Sequence, residues 1–195
     1  GSKLGEKFAF QGTATRLERD LYYVDTYRNS NYYSGALRWD LTDKQSLTLR
    51  VSRLEEDSQF IKTATSKNIK KYGKDYRPGY KNVTVGVDAD GNLIKVKQRG
   101  YLTGDRAINS YNASYVNDLT DSMHLTTDFF YTDGYFTNNQ YWDQKIDQKT
   151  RGVKAKLDFD YWNGSNLLFG VDYMKQEADF SYIGTWKKDA STGRH

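Results

Sequence analysis

Between Phe60 and Arg106 the chain carries eight lysines and three arginines against four aspartates and no glutamate. That is a net +7, while the whole chain of 195 residues is only +4. Tyr72, Tyr76, Tyr80 and Tyr101 interleave with these cations. Clustered positive charge raises the local concentration of anions, and a cation beside an aromatic ring suits a large anion that bears flat groups. Lys70, Lys71, Lys74 and Arg77 are therefore the candidate charges, and Tyr76 and Tyr80 the candidate stacking surfaces, for an anionic small-molecule ligand. Tyr135, Tyr141 and Trp142, around a second loop at 136–149, offer further stacking area. A loop that merely solvates itself is the plain alternative.

Other chemistry is thinly represented. There are two histidines, His124 and His195, and no cysteine. No Ser/His/Asp set or metal cluster can be assembled, so the expectation is a protein that is not an enzyme and holds no cofactor or metal. Asp88-Ala89-Asp90-Gly91-Asn92 has some character of a calcium loop. Its glycine falls too early, however, and no glutamate occupies the twelfth position, so it reads as a turn. Lys154, Lys156, Asp158 and Asp160 could do acid–base work, but cross-strand ion pairing on a wet face explains them more simply. The overall charge is too mild and dispersed to imply nucleic acid.

The elements that position these residues are strands. From Arg151 to Tyr161, apolar Val153, Ala155, Leu157, Phe159 and Tyr161 alternate with Lys154, Lys156, Asp158 and Asp160. A period of two places the two sets on opposite faces of a strand. Asn163-Gly164-Ser165-Asn166 makes a turn, and alternation resumes with Leu167, Phe169, Val171 and Tyr173 through to Tyr182. The same pattern predicts strands over Lys7–Leu17, Tyr33–Leu41, Leu47–Gln59, Ser110–Leu119 and Leu125–Tyr135. Asp25–Asn31 reads as a loop. Asn82–Val87 and Leu93–Lys97 read as a small hairpin inside the long 60–106 loop.

An internal repeat links the hairpins. WDLTDKQSLTL at 39–49, NDLTDSMHLTT at 117–127 and FDYWNGSNLLF at 159–169 share an aspartate, an apolar residue, a short polar turn and a leucine. Short turns at one end alternate with long loops at the other, as in outer-membrane barrels. The strands exceed the usual ~5–6 residues of a globular strand and match the ~9–11 of a tilted membrane-spanning one. Trp39, Tyr161 and Trp162 lie beside the short turns, where an aromatic girdle belongs. Mean hydropathy is low, at −0.88. Aromatics nevertheless make up 15% of the residues, which excludes disorder as the reason. The expected fold is all-β: an antiparallel up-and-down meander of about seven strands, forming part of a large transmembrane β-barrel. Leu37, Leu49, Phe129, Leu157, Phe159 and Phe169 are expected to face lipid, and Arg38, Arg50, Asp128, Lys156 and Asp158 the lumen.

NYYSGALRWDLTDKQSLTLRVSRLEEDSQF, NSYNASYVNDLTDSMHLTTDFFYTDGYF and RGVKAKLDFDYWNGSNLLFGVDYMKQEADF resemble the barrel of TonB-dependent outer-membrane receptors. The resemblance spans nearly the whole chain. It implies residence in the bacterial outer membrane and import of a scarce nutrient such as a ferric siderophore or haem. It also implies energy from TonB, acting on a plug domain that is not among these residues, so 1–195 is expected to be a partial barrel domain. The implied surroundings are outer-membrane lipid, lipopolysaccharide and the remaining barrel strands. The basic loop could meet lipopolysaccharide as well as a ligand. A porin-like passive channel and a soluble β-sheet binding domain are the rival readings. Under the barrel reading the first and last strands are open edges, which cannot be left unpaired in lipid. Residues 1–195 alone in water should therefore give no sharp cooperative melt as a detergent-free monomer in calorimetry. A sharp melt would support the soluble domain.

Overall fold

A computed structural model describes residues 2–138, 144–162 and 164–182. The chain is an antiparallel up-and-down meander. Seven long strands follow one another in a single sheet: β2 (Phe8–Asp20), β3 (Tyr27–Thr42), β4 (Gln45–Phe60), β7 (Leu102–Thr120), β8 (Met123–Asn138), β9 (Gln144–Trp162) and β10 (Ser165–Tyr182). A three-residue β1 (Ser2–Leu4) pairs with β2. Between β4 and β7 lies an excursion holding α1 (Ser66–Tyr72), a 3₁₀ turn and a separate hairpin of β5 (Tyr80–Val87) and β6 (Leu93–Arg99).

The repeated motif has a backbone function. The N–H groups of its three aspartates, Asp40, Asp118 and Asp160, donate to Lys7 O, Lys44 O and Ser122 O, each at 2.8 Å. Each acceptor immediately precedes a strand, so every short turn is tied to the turn before it. The threonine of the motif shapes the turn itself. Thr42 Oγ1 accepts from the Lys44 N–H at 3.2 Å, and Thr120 Oγ1 from the Ser122 N–H at 3.3 Å. In the third copy Gly164 takes φ 78°, where a side chain would be strained.

Residues directly opposite each other in an antiparallel pair share a face. The register shifts only beside the short turns, so the faces stay continuous across the sheet. One row reads Phe10, Leu37, Leu49, Ala113, Phe129, Val153, Tyr173. The opposite face carries Arg38, Thr48, Ser114, Asp128, Lys154 and Asp172 in its corresponding row. Nothing in the described chain covers the apolar face: Phe129 is 55% exposed, Phe169 60% and Val171 73%. Apart from Ser46 beside a short turn, the few buried residues, among them Thr26, Pro78, Tyr101, Leu102 and Ala107, gather instead where the excursion meets the far ends of the strands.

The structure extends several strands beyond the ranges their alternation suggests. Tyr27–Asn31, expected in a loop, begins β3. Arg28 and Asn29 pair there with Glu56 and Asp57 of β4. The 60–106 interval shrinks to an excursion of 61–101, because β4 includes Phe60 and β7 starts at Leu102. The 136–149 interval is taken at both ends by β8 and β9. In all three cases the ladder continues although the apolar–polar alternation does not.

Phe130 shows how the polar face is packed. It stands opposite Gly152, and a Cβ on Gly152 would lie 2.5 Å from the Phe130 ring and would also strike Tyr173 O. Gly12 has no such neighbour; a Cβ there would meet only Ser34 O, at 4.0 Å. In the intact protein, Gly152→Val should cost ~1–3 kcal/mol by overpacking. Gly12→Val should stay within ~0.5 kcal/mol. Equilibrium urea unfolding checks both, and equal costs would contradict this packing.

Candidate ligand-binding face at the far strand ends

The excursion is latched to the turn between β2 and β3. Arg77 Nε donates to Asp25 Oδ2 at 2.9 Å, and the Tyr101 hydroxyl donates to the same carboxylate at 3.3 Å. The Val24 N–H donates to Lys74 O at 2.9 Å. The rings of Tyr23 and Tyr76 meet edge to face at 6.3 Å. Asp25 adopts φ 59°, a left-handed conformation that aspartate tolerates better than most residues. The hydrogen bond from Arg77 holds the Asp25 carboxyl below its ordinary value. Burial, followed by the neighbouring carboxylate, pushes the Tyr101 phenol up. A cleft of about 440 Å³ opens beside this latch, lined by Asp20 to Tyr27 with Lys74 and Asp75.

The sequence candidates separate into different settings. Lys70 and Lys71 are exposed in the last turn of α1, where cations also favour the helix dipole. Thr65 caps the other end of that helix, accepting from the Asn68 N–H at 3.3 Å. Lys74 is exposed beside the cleft. Tyr76 and Arg77 belong to the latch, so Arg77 is neutralised by Asp25 and is not available as a free cation. Tyr80 lies apart on the β5–β6 hairpin, flanked by the Arg99 guanidinium at 4.6 Å and Lys97 Nζ at 5.7 Å from its ring. Tyr135 shares a face with Phe129, the apolar one, and Lys145 Nζ lies 5.4 Å from its ring. It joins neither Tyr76 at the latch nor Tyr80 on the hairpin. Tyr141 and Trp142 lie outside the described residues. Asp88 accepts from the N–H groups of Asp90 and Asn92 at 3.0 and 2.7 Å, closing that segment as a plain turn.

One surface was missed by the sequence reading. Toward the far end the two faces of the sheet exchange character. On the polar face Tyr32, Leu54 and Ile108 stand in one row, and Leu17, Phe136, Ile146 and Phe180 in the next. In that second row Glu56 is held between Arg28 at 3.0 Å and Arg106 at 3.3 Å. The result is an aromatic and aliphatic surface with an ion-paired centre. Continuing each alternation past Arg53, Asp133 and Arg151 would have revealed it.

Neither α1 nor the β5–β6 hairpin packs against a strand of the main sheet. The excursion is thus held at the strand ends and does not lie across the polar face. Comparison of the chain with protein-family models, curated proteins and solved structures found no match.

In the intact protein, Asp25→Ala should open the latch. Proteolysis after Lys74 should then accelerate severalfold, because cleavage follows the open population, while β7–β10 stay protected. The Asp25 carboxyl is held below its ordinary value near 3.8. Its contribution is therefore complete above that pH and is lost as pH falls through the lowered value. Cleavage should be insensitive to pH between about 5 and 8, after correction for protease activity. Faster cleavage already at pH 5 would contradict the assignment.

Proposed function

We propose that the chain is part of the barrel of an outer-membrane TonB-dependent receptor, a ligand-gated importer of a scarce nutrient such as a ferric siderophore or haem. The observation that carries this reading is the single-layered sheet, whose one face is apolar only over a band. On β9 that band runs from Tyr161 to Val153 and ends at Arg151. Ten residue steps from Tyr161 to Arg151 span ~33 Å along the strand. At the usual ~40° tilt they project to ~25 Å, the height of an outer-membrane apolar band. Trp39 and Tyr161 mark one edge of the band, and Tyr33, Tyr111, Tyr131 and Tyr173 the other, as interfacial aromatic belts do. On this reading the apolar face meets lipid and the polar face lines the lumen. The short turns are periplasmic, and the excursion lies outside.

A soluble binding domain would need a second layer to cover the apolar face. None is present among the described residues. A porin-like channel would be favoured by a loop folded into the lumen. The excursion is fastened to a neighbouring outer turn, which supports the receptor reading instead. No reacting group is needed at any step of binding and import. The residues proposed to meet an anionic ligand first are Lys70, Lys71 and Lys74, with the far-end surface of Tyr32, Ile108, Phe136 and Phe180 available below them.

The test uses the intact protein in cells. Uptake of an iron-55-labelled siderophore or of haem should require TonB. Replacing Lys70, Lys71 and Lys74 with Ser should slow cargo association most at low salt. In planar bilayers the purified protein should carry no steady current. Steady conductance and uptake independent of TonB would establish the passive channel in its place.

A further inference from the structure

The apolar face changes character within one step of the register. Val153 stands opposite Tyr173, and the next pair outward on that face is Arg151 opposite Lys175. Beyond it come Lys149 opposite Glu177 and, in the same row, Arg53 and Asp133. The formal charge is +2 in the first of these rows and zero in the second. The following row carries Arg16 against Glu55, Asp147 and Asp179, a net −2. Net positive charge is therefore confined to the edge of the apolar band, with acidic residues further out. A face that only solvated itself would have no reason to order its charges in this way.

The side chains are suitably disposed. Glu177 lies 2.6 Å from Lys175 Nζ and 3.9 Å from Arg151 Nη2, so a single carboxylate gathers the cations without neutralising them. The Tyr111 and Tyr131 rings, in the row of Arg151, stack at 6.0 Å. Long cationic side chains can lay their stems on apolar surface while their heads reach an interface.

We propose that Lys149, Arg151 and Lys175 form a strip that binds the phosphate headgroups of anionic lipids in the outer leaflet. The proposal rests on the reading of the apolar band as bilayer-embedded. It moves headgroup contact from the basic excursion to the lipid-facing side of β9 and β10. Arg151 supplies a planar fork that can take two phosphate oxygens, and the two lysines supply point charges on either side.

The intact protein is reconstituted in discs of neutral phosphatidylcholine containing a small fraction of bis-phosphorylated lipid A, and retained lipid A is counted by native mass spectrometry. The combined variant Lys149→Gln, Arg151→Gln, Lys175→Gln should retain about tenfold less lipid A at low salt. The combined variant Lys149→Arg, Lys175→Arg should retain as much as the parent. Lys70→Gln, Lys71→Gln, Lys74→Gln should have no effect, and millimolar inorganic phosphate should not displace the lipid. Undiminished retention in the first variant, or a loss confined to the excursion variant, would overturn the strip. A fluorophore at Phe169 in the same discs should be quenched by brominated acyl chains in parent and variants alike. Without that quenching in the parent the membrane reading fails, and the strip with it. Quenching with undiminished retention defeats the strip alone.

Discussion

A strand placed in hydrocarbon must satisfy every backbone N–H and C=O without water, since each unpaired group costs several kcal/mol. On the membrane reading proposed above, this requirement accounts for the continuous ladder through β2, β3, β4, β7, β8, β9 and β10, whose register shifts only beside the short turns. Because the register does not slip in between, a single parity governs each strand, and one slipped residue would exchange the apolar and polar faces of everything beyond it. The repeated Asp-apolar-turn-Leu motif guards against that slip. Its aspartate N–H anchors each turn to the one before, and its threonine fixes the turn conformation in two of the three copies.

Side-chain contacts contribute differently on the two faces. The apolar band gains little from packing within the described chain; its proposed partner is lipid. The polar face carries exposed pairs such as Arg38–Asp40 at 2.8 Å and Lys154–Asp172 at 3.3 Å. Exposed pairs of this kind are worth ~0–1 kcal/mol each, so they order the face more than they stabilise it. The Phe130–Gly152 contact is a local exception. At the far end a small core does form, where Pro78, Tyr101 and Leu102 let the excursion rest on the β2–β3 turn. Packing within the chain is thus slight along the apolar band and concentrated at the far strand ends.

Much of this was legible in the sequence within the band. Leu157 and Lys156 announce their faces because apolar and charged residues alternate there without interruption. Beyond Arg53, Asp133 and Arg151 both sets turn mixed or exchange sides, so Tyr27–Asn31 and Gln144–Lys149 read as loops although their backbones remain paired. Tyr135 was legible in principle: counting by twos from Phe129 through Tyr131 and Asp133 places it on the apolar side. The Asp25–Arg77 latch was not. Its partners are 52 residues apart, and local periodicity carries no information on a contact between two turns. Arg77 therefore read as a free cation, while Lys70 and Lys71 stand exposed as their composition suggested.

The central claim is that the apolar band crosses a bilayer with the short turns on one side and the latched excursion on the other. Nitroxide labels placed singly from Arg151 to Tyr161 in the intact, reconstituted protein test it most directly, through accessibility to oxygen and to a water-soluble nickel reagent. The account predicts that Val153, Ala155, Leu157 and Phe159 favour oxygen, most strongly mid-band, while Lys154, Lys156 and Asp158 favour nickel. Equal accessibility at Leu157 and Lys156, with no depth profile along the odd positions, would contradict it.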